Sequence, residues 1–120
     1  MTFSLERPDT RRLVARLREG DVIAEVIGWQ PAQAAANLLA TLEAVEAEGY
    51  GECFWLEPTG HYWWMLKRED ERLEVVVLWS RSSAIGWQHV FRAADEIGYI
   101  SNLIRTELER HGLLPRANQP

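Results

Sequence analysis

Residues 52–80 read ECFWLEPTGHYWWMLKREDERLEVVVLWS. The stretch decides the fold because it divides into three β-rich runs separated by two turn signals, Pro58-Thr59-Gly60 and a charged tip around Asp70. It also holds four of the six tryptophans of a 120-residue chain. Tryptophan is the largest apolar side chain, and its N–H needs a partner when buried. A cluster of this kind marks either a densely packed core or a surface built to grip something.

A three-residue turn over 58–60, with Gly60 in the left-handed region, pairs Glu57 with His61, Trp55 with Trp63 and Phe54 with Trp64. Phe54, Leu56, Tyr62, Trp64 and Leu66 then share one face. Cys53, Trp55, Glu57, His61, Trp63, Met65 and Lys67 share the other. An even-numbered second turn continues the first face into Leu73, Val75, Val77 and Trp79 and sets Lys67 opposite Glu74. An odd-numbered turn would bring Glu74 opposite Leu66 in the apolar layer, where an unpaired carboxylate is costly. The even register is therefore expected, with one face nearly all apolar and the other mixed.

Working outward, a fourth strand is expected around 87–92. A helix over 96–111 follows, with Asp95 as its N-cap, Ile97, Ile100, Ile104 and Leu108 as its stripe, and Arg105 paired with Glu109 on the wet side. Upstream, Pro31 suits a first helical position, and Ala35, Leu38, Leu39, Leu42 and Val45 recur at helical spacing until Gly49, giving a helix over 31–48. Residues 9–28 read two ways. Asp9 can cap a short helix bearing Leu13, Val14 and Leu17, followed by a strand; alternatively Glu19-Gly20-Asp21 turns a hairpin into residues 22–27. The helix-then-strand reading is the one taken. The expected fold is α+β, an antiparallel sheet of four or five strands with two long helices packed on it. Residues 1–114 form a single domain in this reading, and 115–120 a frayed tail.

Composition is that of an ordinary globular domain, 47% hydrophobic and 26% charged. The single cysteine, Cys53, excludes an internal disulfide and suits a reducing compartment. The opening MTFSLERPDTRR carries charge where a signal peptide needs an apolar run, and no apolar stretch is long enough to span a membrane, so the cytoplasm is the expected address. The net charge of −5 is concentrated in residues 41–80, where nine acids face three bases. A negative middle repels phosphate backbones, which argues against nucleic acid and for a basic partner. Arginine outnumbers lysine 12 to 1, as in GC-rich bacterial genomes.

No catalytic pattern stands out. Cys53 and His61 fall on one expected face but about 13 Å apart if they lie four residues along a strand, too far for a thiol–imidazole pair. His61, His89 and His111 lack metal-ligand spacing, and no second cysteine completes a zinc cage. Glu48-Gly49-Tyr50-Gly51-Glu52 has two glycines but no phosphate-loop pattern. No cofactor is implied. Of the five arginines in residues 7–18, Arg12 and Arg16 would share a face of a helix, as on a nucleic-acid-binding helix or simply a solvated one.

The runs GECFWLEPTGHYWWMLKREDERLEVVVLW (51–79) and HVFRAADEIGYISNLIRTELERHG (89–112) give the second half of the chain a recognisable cadence. It resembles small bacterial α+β proteins, among them immunity proteins of polymorphic toxin systems. The likeness is one of pattern, so it carries over no functional residue; it implies a non-enzymatic, toxin-neutralising role.

These readings converge on a recognition domain. Trp55 and Trp63 side by side on the mixed face, with Glu57 and His61 at its edge, are the expected binding residues. The competing expectation is that the 31–48 helix or the N-terminal segment covers this face as a second core layer. The partner is expected to be a basic protein or a second copy of the chain in a two-fold dimer. The alternative is a small-molecule binder with a tryptophan-lined pocket between helix and sheet, and a small enzyme is the third reading.

Overall fold

A computed structural model describes residues 1–82 and 84–114. The expected tail, 115–120, lies outside the described residues, as does Ser83 in the loop after residue 80. The elements run β1 (Thr2–Glu6), β2 (Arg12–Glu19), β3 (Val22–Trp29), α1 (Pro31–Glu48), β4 (Tyr50–Glu57), β5 (Gly60–Glu69), β6 (Arg72–Ser80), β7 (Gln88–Glu96) and α2 (Ile97–Arg110). The α+β class stands, but the sheet is double. Strands β1-β2-β3 form one antiparallel sheet and β4-β5-β6-β7 another.

Residues 9–28 are a hairpin, contrary to the helix-then-strand expectation. Strand β2 pairs with β3 from Arg12↔Trp29 to Glu19↔Val22, and β1 adds outside β2. Period-two burial wins here: Leu13, Ala15 and Leu17 are buried, with Ala24 and Val26 across from the last two, while Arg16 and Arg18 on the other side face solvent and Val14 on that side is 8% exposed. Arg12 and Arg16 do share a face, but of a strand. Arg16 lies 3.1 Å from Glu6 and 2.8 Å from Glu25, and Arg12 is 3.0 Å from Asp9. Their charges are answered within the fold.

Helix α1 begins at Pro31 and ends at Glu48, the expected limits. Gly49 closes it in the left-handed conformation (φ 87°), donating its N–H to Val45. Helix α2 starts one residue later than expected, and its N-cap is Glu96 without a side-chain cap bond. Asp95 ends in β7, where its carboxylate accepts the Glu96 N–H at 2.8 Å. Arg105 pairs with Glu46 of α1 through two 2.6 Å hydrogen bonds, not with Glu109 on its own helix.

In the second sheet the even β5–β6 register holds, with Lys67 opposite Glu74. The β4–β5 register does not. A two-residue turn, Pro58-Thr59, pairs Glu57 with Gly60, Trp55 with Tyr62 and Phe54 with Trp63. Gly60 is absent from the left-handed residues. Its lack of a side chain answers a steric demand instead, since a Cβ there would sit 2.7 Å from the Trp79 ring. One residue of slip turns every β4 side chain to the opposite face.

Trp55 therefore joins Trp64, Leu66, Val75, Val77 and Phe91 in the core, with the Trp55 and Trp64 rings 4.9 Å apart. Helix α1 lies on β4 and β5, and α2 against β1, β6 and β7. Both sheets and both helices turn their apolar sides into this one cluster.

Candidate functional site

The β4 slip sorts the expected binding residues onto two faces. Trp55 is 1% exposed and lies inside. Trp63 and His61 stay on the outer face of the second sheet, away from Trp55. Glu57 ends β4 on the Trp55 side, half-exposed, its carboxylate accepting the Thr59 hydroxyl. Cys53 falls opposite Trp64 instead of Met65. Burial pushes its thiol up to about 11, which disfavours the thiolate near neutrality. Cys53 and His61 lie on opposite faces of the sheet.

In place of the Trp55/Trp63 pair, the outer face gathers a different cluster. Phe54 stacks on Trp63 with centroids 5.7 Å apart and planes at 23°. Trp87, from the loop before β7, leans on Trp63 at 5.1 Å and on Phe54 at 6.1 Å. His61 meets the Trp87 ring edge-on at 4.9 Å. Around them the outer-facing side chains of β5 and β6 are Met65, Val76 and Leu78, all half-buried. Leu56, opposite His61 in the β4–β5 ladder, is 64% exposed, and Ile85, which lines a cleft with Trp79 and Trp87, is 74% exposed. Partly exposed rings and aliphatic side chains thus lie together on this outer face.

Phe54, Leu56 and Trp87 lie outside the expected set of binding residues. The signal for the first two was present. Glu52 shares their parity in β4, and a carboxylate belongs on the solvent side. Trp87 had no such signal, because a loop, not a repeat, positions it.

A second feature is a groove of about 600 Å³ between the N-terminal half of α1 and β4. Trp29 at the end of β3 lines it together with Gln33 and Asn37 of the helix and Trp55, Leu56 and Glu57 of the strand. Gln33 donates to Asn37 at 2.9 Å, one turn along the same helix face. Gln30, also on the wall, is held in the left-handed region (φ 58°), which costs a non-glycine residue energy. Its N–H donates to Arg11 at 2.8 Å, and its carbonyl accepts the Ala34 N–H at 3.0 Å. Gly28 lets β3, α1 and Trp55 pack closely at the groove's Ala34 and Trp55 wall: a Cβ on Gly28 would lie 2.8 Å from the Trp55 ring and 2.9 Å from the Ala34 methyl.

Among the described residues no three His, Cys, Asp or Glu side chains gather as for a metal ion, and no helix is long and apolar enough to cross a membrane. No family model, curated protein or solved structure matches the chain.

Proposed function

We propose that this chain is a non-enzymatic recognition protein that holds a protein partner on the outer face of its second sheet. The observation that carries the reading is the Phe54–Trp63–Trp87–His61 cluster, with exposed Leu56 opposite His61 and exposed Ile85 two residues before Trp87. Neighbouring rings lie 4.9 to 6.1 Å apart, in contact with one another, so nothing fits between them. They form a platform, not a cage for a cation. Aromatic side chains at the centre of a contact supply much of its binding energy. The strand that presents Phe54 and Leu56 carries charges of one sign, Glu52 and Glu57, which favours a basic partner at the rim. Neutralisation of a toxin, the immunity-type role, is one form such recognition takes.

Ile85→Glu and Trp87→Ser test it. Immobilised beside the wild-type chain in lysate of its native organism, both variants should lose the partner that the wild type retains stoichiometrically. Their thermal midpoints should stay within a few degrees. Equal retention by the variants would remove the platform as the contact surface.

A second reading, a small-molecule binder, is favoured by the groove alone. Its volume of about 600 Å³ and its Trp29 and Trp55 walls suit an apolar ligand with a few polar groups. A saturable change in tryptophan fluorescence with metabolite mixtures, insensitive to Ile85→Glu, would favour it.

A further inference from the structure

The groove has a property that a closed ligand pocket lacks: one of its walls is the free edge of a β-strand. β4 is the terminal strand of its sheet, hydrogen-bonded to β5 alone, with α1 and β3 packed against it from outside the sheet. In an antiparallel ladder, every second residue directs its N–H and C=O to the neighbouring strand, and the residues between direct theirs away. A two-residue hairpin makes its closing pair, here Glu57 with Gly60, a hydrogen-bonded one. Odd-numbered residues of β4 therefore face β5. The Arg68 N–H donating to Gly49 at 2.9 Å, on the same alternation, fixes the phase independently.

It follows that Glu52, Phe54 and Leu56 point their backbone groups out of the sheet. Among the described residues, no backbone group outside the ladder bonds to them. Cys53, Phe54, Trp55, Leu56 and Glu57 border the groove in unbroken sequence. A groove lying over one sheet face would be bordered by alternate residues only, so this one runs along the edge.

The other edges are guarded. On β1, the Leu5 N–H is taken by the Glu107 carboxylate of α2 at 2.8 Å. On β3, Glu25 stands at mid-strand in an ion pair with Arg16. The β6–β7 pairing is broken by a bulge after Val77. Strand β4 carries no lysine, bulge or internal proline; its mid-strand charge, Glu52, lies towards the N-terminal end, and Phe54 and Leu56 stand exposed beyond it. An edge so lightly guarded is a template for another strand.

We propose that the free edge of β4 receives an extended segment of the partner protein, which adds as a fifth strand and places a basic side chain at Glu57. The inference rests on the recognition reading and names the form in which the partner binds. The open residues 52–56 span about 13 Å, enough for a five-residue segment. Alternate side chains of the added strand would fall on the outer platform beside Phe54 and Leu56 and into the groove beside Gln33 and Asn37. Glu57 is the one charged residue among those lining the groove and forms no salt bridge among the described residues, so the complementary segment carries a lysine or arginine at that end.

The test uses the full chain and peptides selected on it from a random phage-displayed library. Selected sequences should alternate apolar residues and carry a basic residue towards one end. At saturation, the Glu52, Phe54 and Leu56 amides, fast-exchanging in the free protein, should slow by at least about tenfold in hydrogen exchange. Leu56→Pro removes an outward N–H without touching the ladder and should weaken the peptides by on the order of tenfold. Glu57→Gln should weaken only those with a basic residue. Should Leu56→Pro fail to fold, amide protection in the wild type decides.

Peptides that bind without slowing those three amides would overturn strand addition. So would a free chain that is already a dimer with the amides protected, which would make a second copy the occupant. Binding of small dyes but no peptide would overturn it too. If strand addition fails while Ile85→Glu still abolishes partner retention, the recognition reading survives without it; if both fail, neither stands.

Discussion

Trp55 shows how much a single residue's face decides. Its ring lies against Trp64 and fills the space that Gly28 leaves open. Trp55→Ala should cost about 3–5 kcal/mol by chemical denaturation, because the cavity is walled by other core side chains. Gly28→Ala should cost about 1–3 kcal/mol, since the new methyl meets the same ring and the Ala34 methyl. Trp63→Lys should leave the fold standing, because Trp63 lies on the outer face. A Trp63→Lys chain as unstable as Trp55→Ala would mean that the outer cluster is part of the core. Cys53 makes a separate prediction. Its thiol, pushed up to about 11 by burial, should react with a disulfide reagent far more slowly at pH 8 in the native chain than in urea.

At the scale of elements, one ion pair joins the two helices. Glu46 on α1 takes both hydrogen bonds from the Arg105 guanidinium on α2, and this holds its carboxyl below the usual glutamate range. A carboxylate whose folded pKa is lowered stabilises the fold above its unfolded pKa, near 4.5, and loses that contribution as pH falls through the lower folded value. Glu46→Gln should therefore flatten the stability profile below about pH 4.5 and lower the plateau above it. An unchanged acid limb in thermal melts would show that other carboxylates set it.

The elements also show what was legible. Helix α1 could be read to the residue because proline and glycine bracket a helical stripe. The β5–β6 register was legible because a wrong slip would have buried Glu74. The hairpin at 12–29 was obscured because Leu13, Val14 and Leu17 fit a helical face as well as a strand. The β4–β5 register was misread because Gly60 suggests a turn conformation, while its real role is to clear Trp79, a contact from a strand 19 residues further on. Of the expected site, Trp63 and His61 keep their solvent face, but their neighbours changed with that register. Arg105 found its partner across the core, which spacing within one helix could not show.

For the whole molecule, the two sheets divide the labour. The solvent face of the first sheet is crossed by a charge ladder, Glu6–Arg16–Glu25, and that of the second by rings. Self-association, if it occurs, should therefore involve the second sheet. Combining Leu56→Glu with Ile85→Glu should abolish any concentration dependence of the sedimentation coefficient while leaving the thermal midpoint within a few degrees. Association that persists in the double variant would place the contact elsewhere.

The indole pairs have an optical consequence. Trp55 and Trp64 lie 4.9 Å apart with planes inclined at 53°, and Trp63 and Trp87 lie 5.1 Å apart at 58°. Electronic transitions on rings this close and this inclined mix into exciton states, which appear in circular dichroism as paired bands of opposite sign overlying the amide signal. The far-ultraviolet spectrum is thus no direct measure of helix and strand content in this protein. Replacing Trp87 should reshape it while every backbone hydrogen bond persists. The couplet lost on removing Trp87 reports the surface pair, and the one that remains until the chain unfolds reports the core.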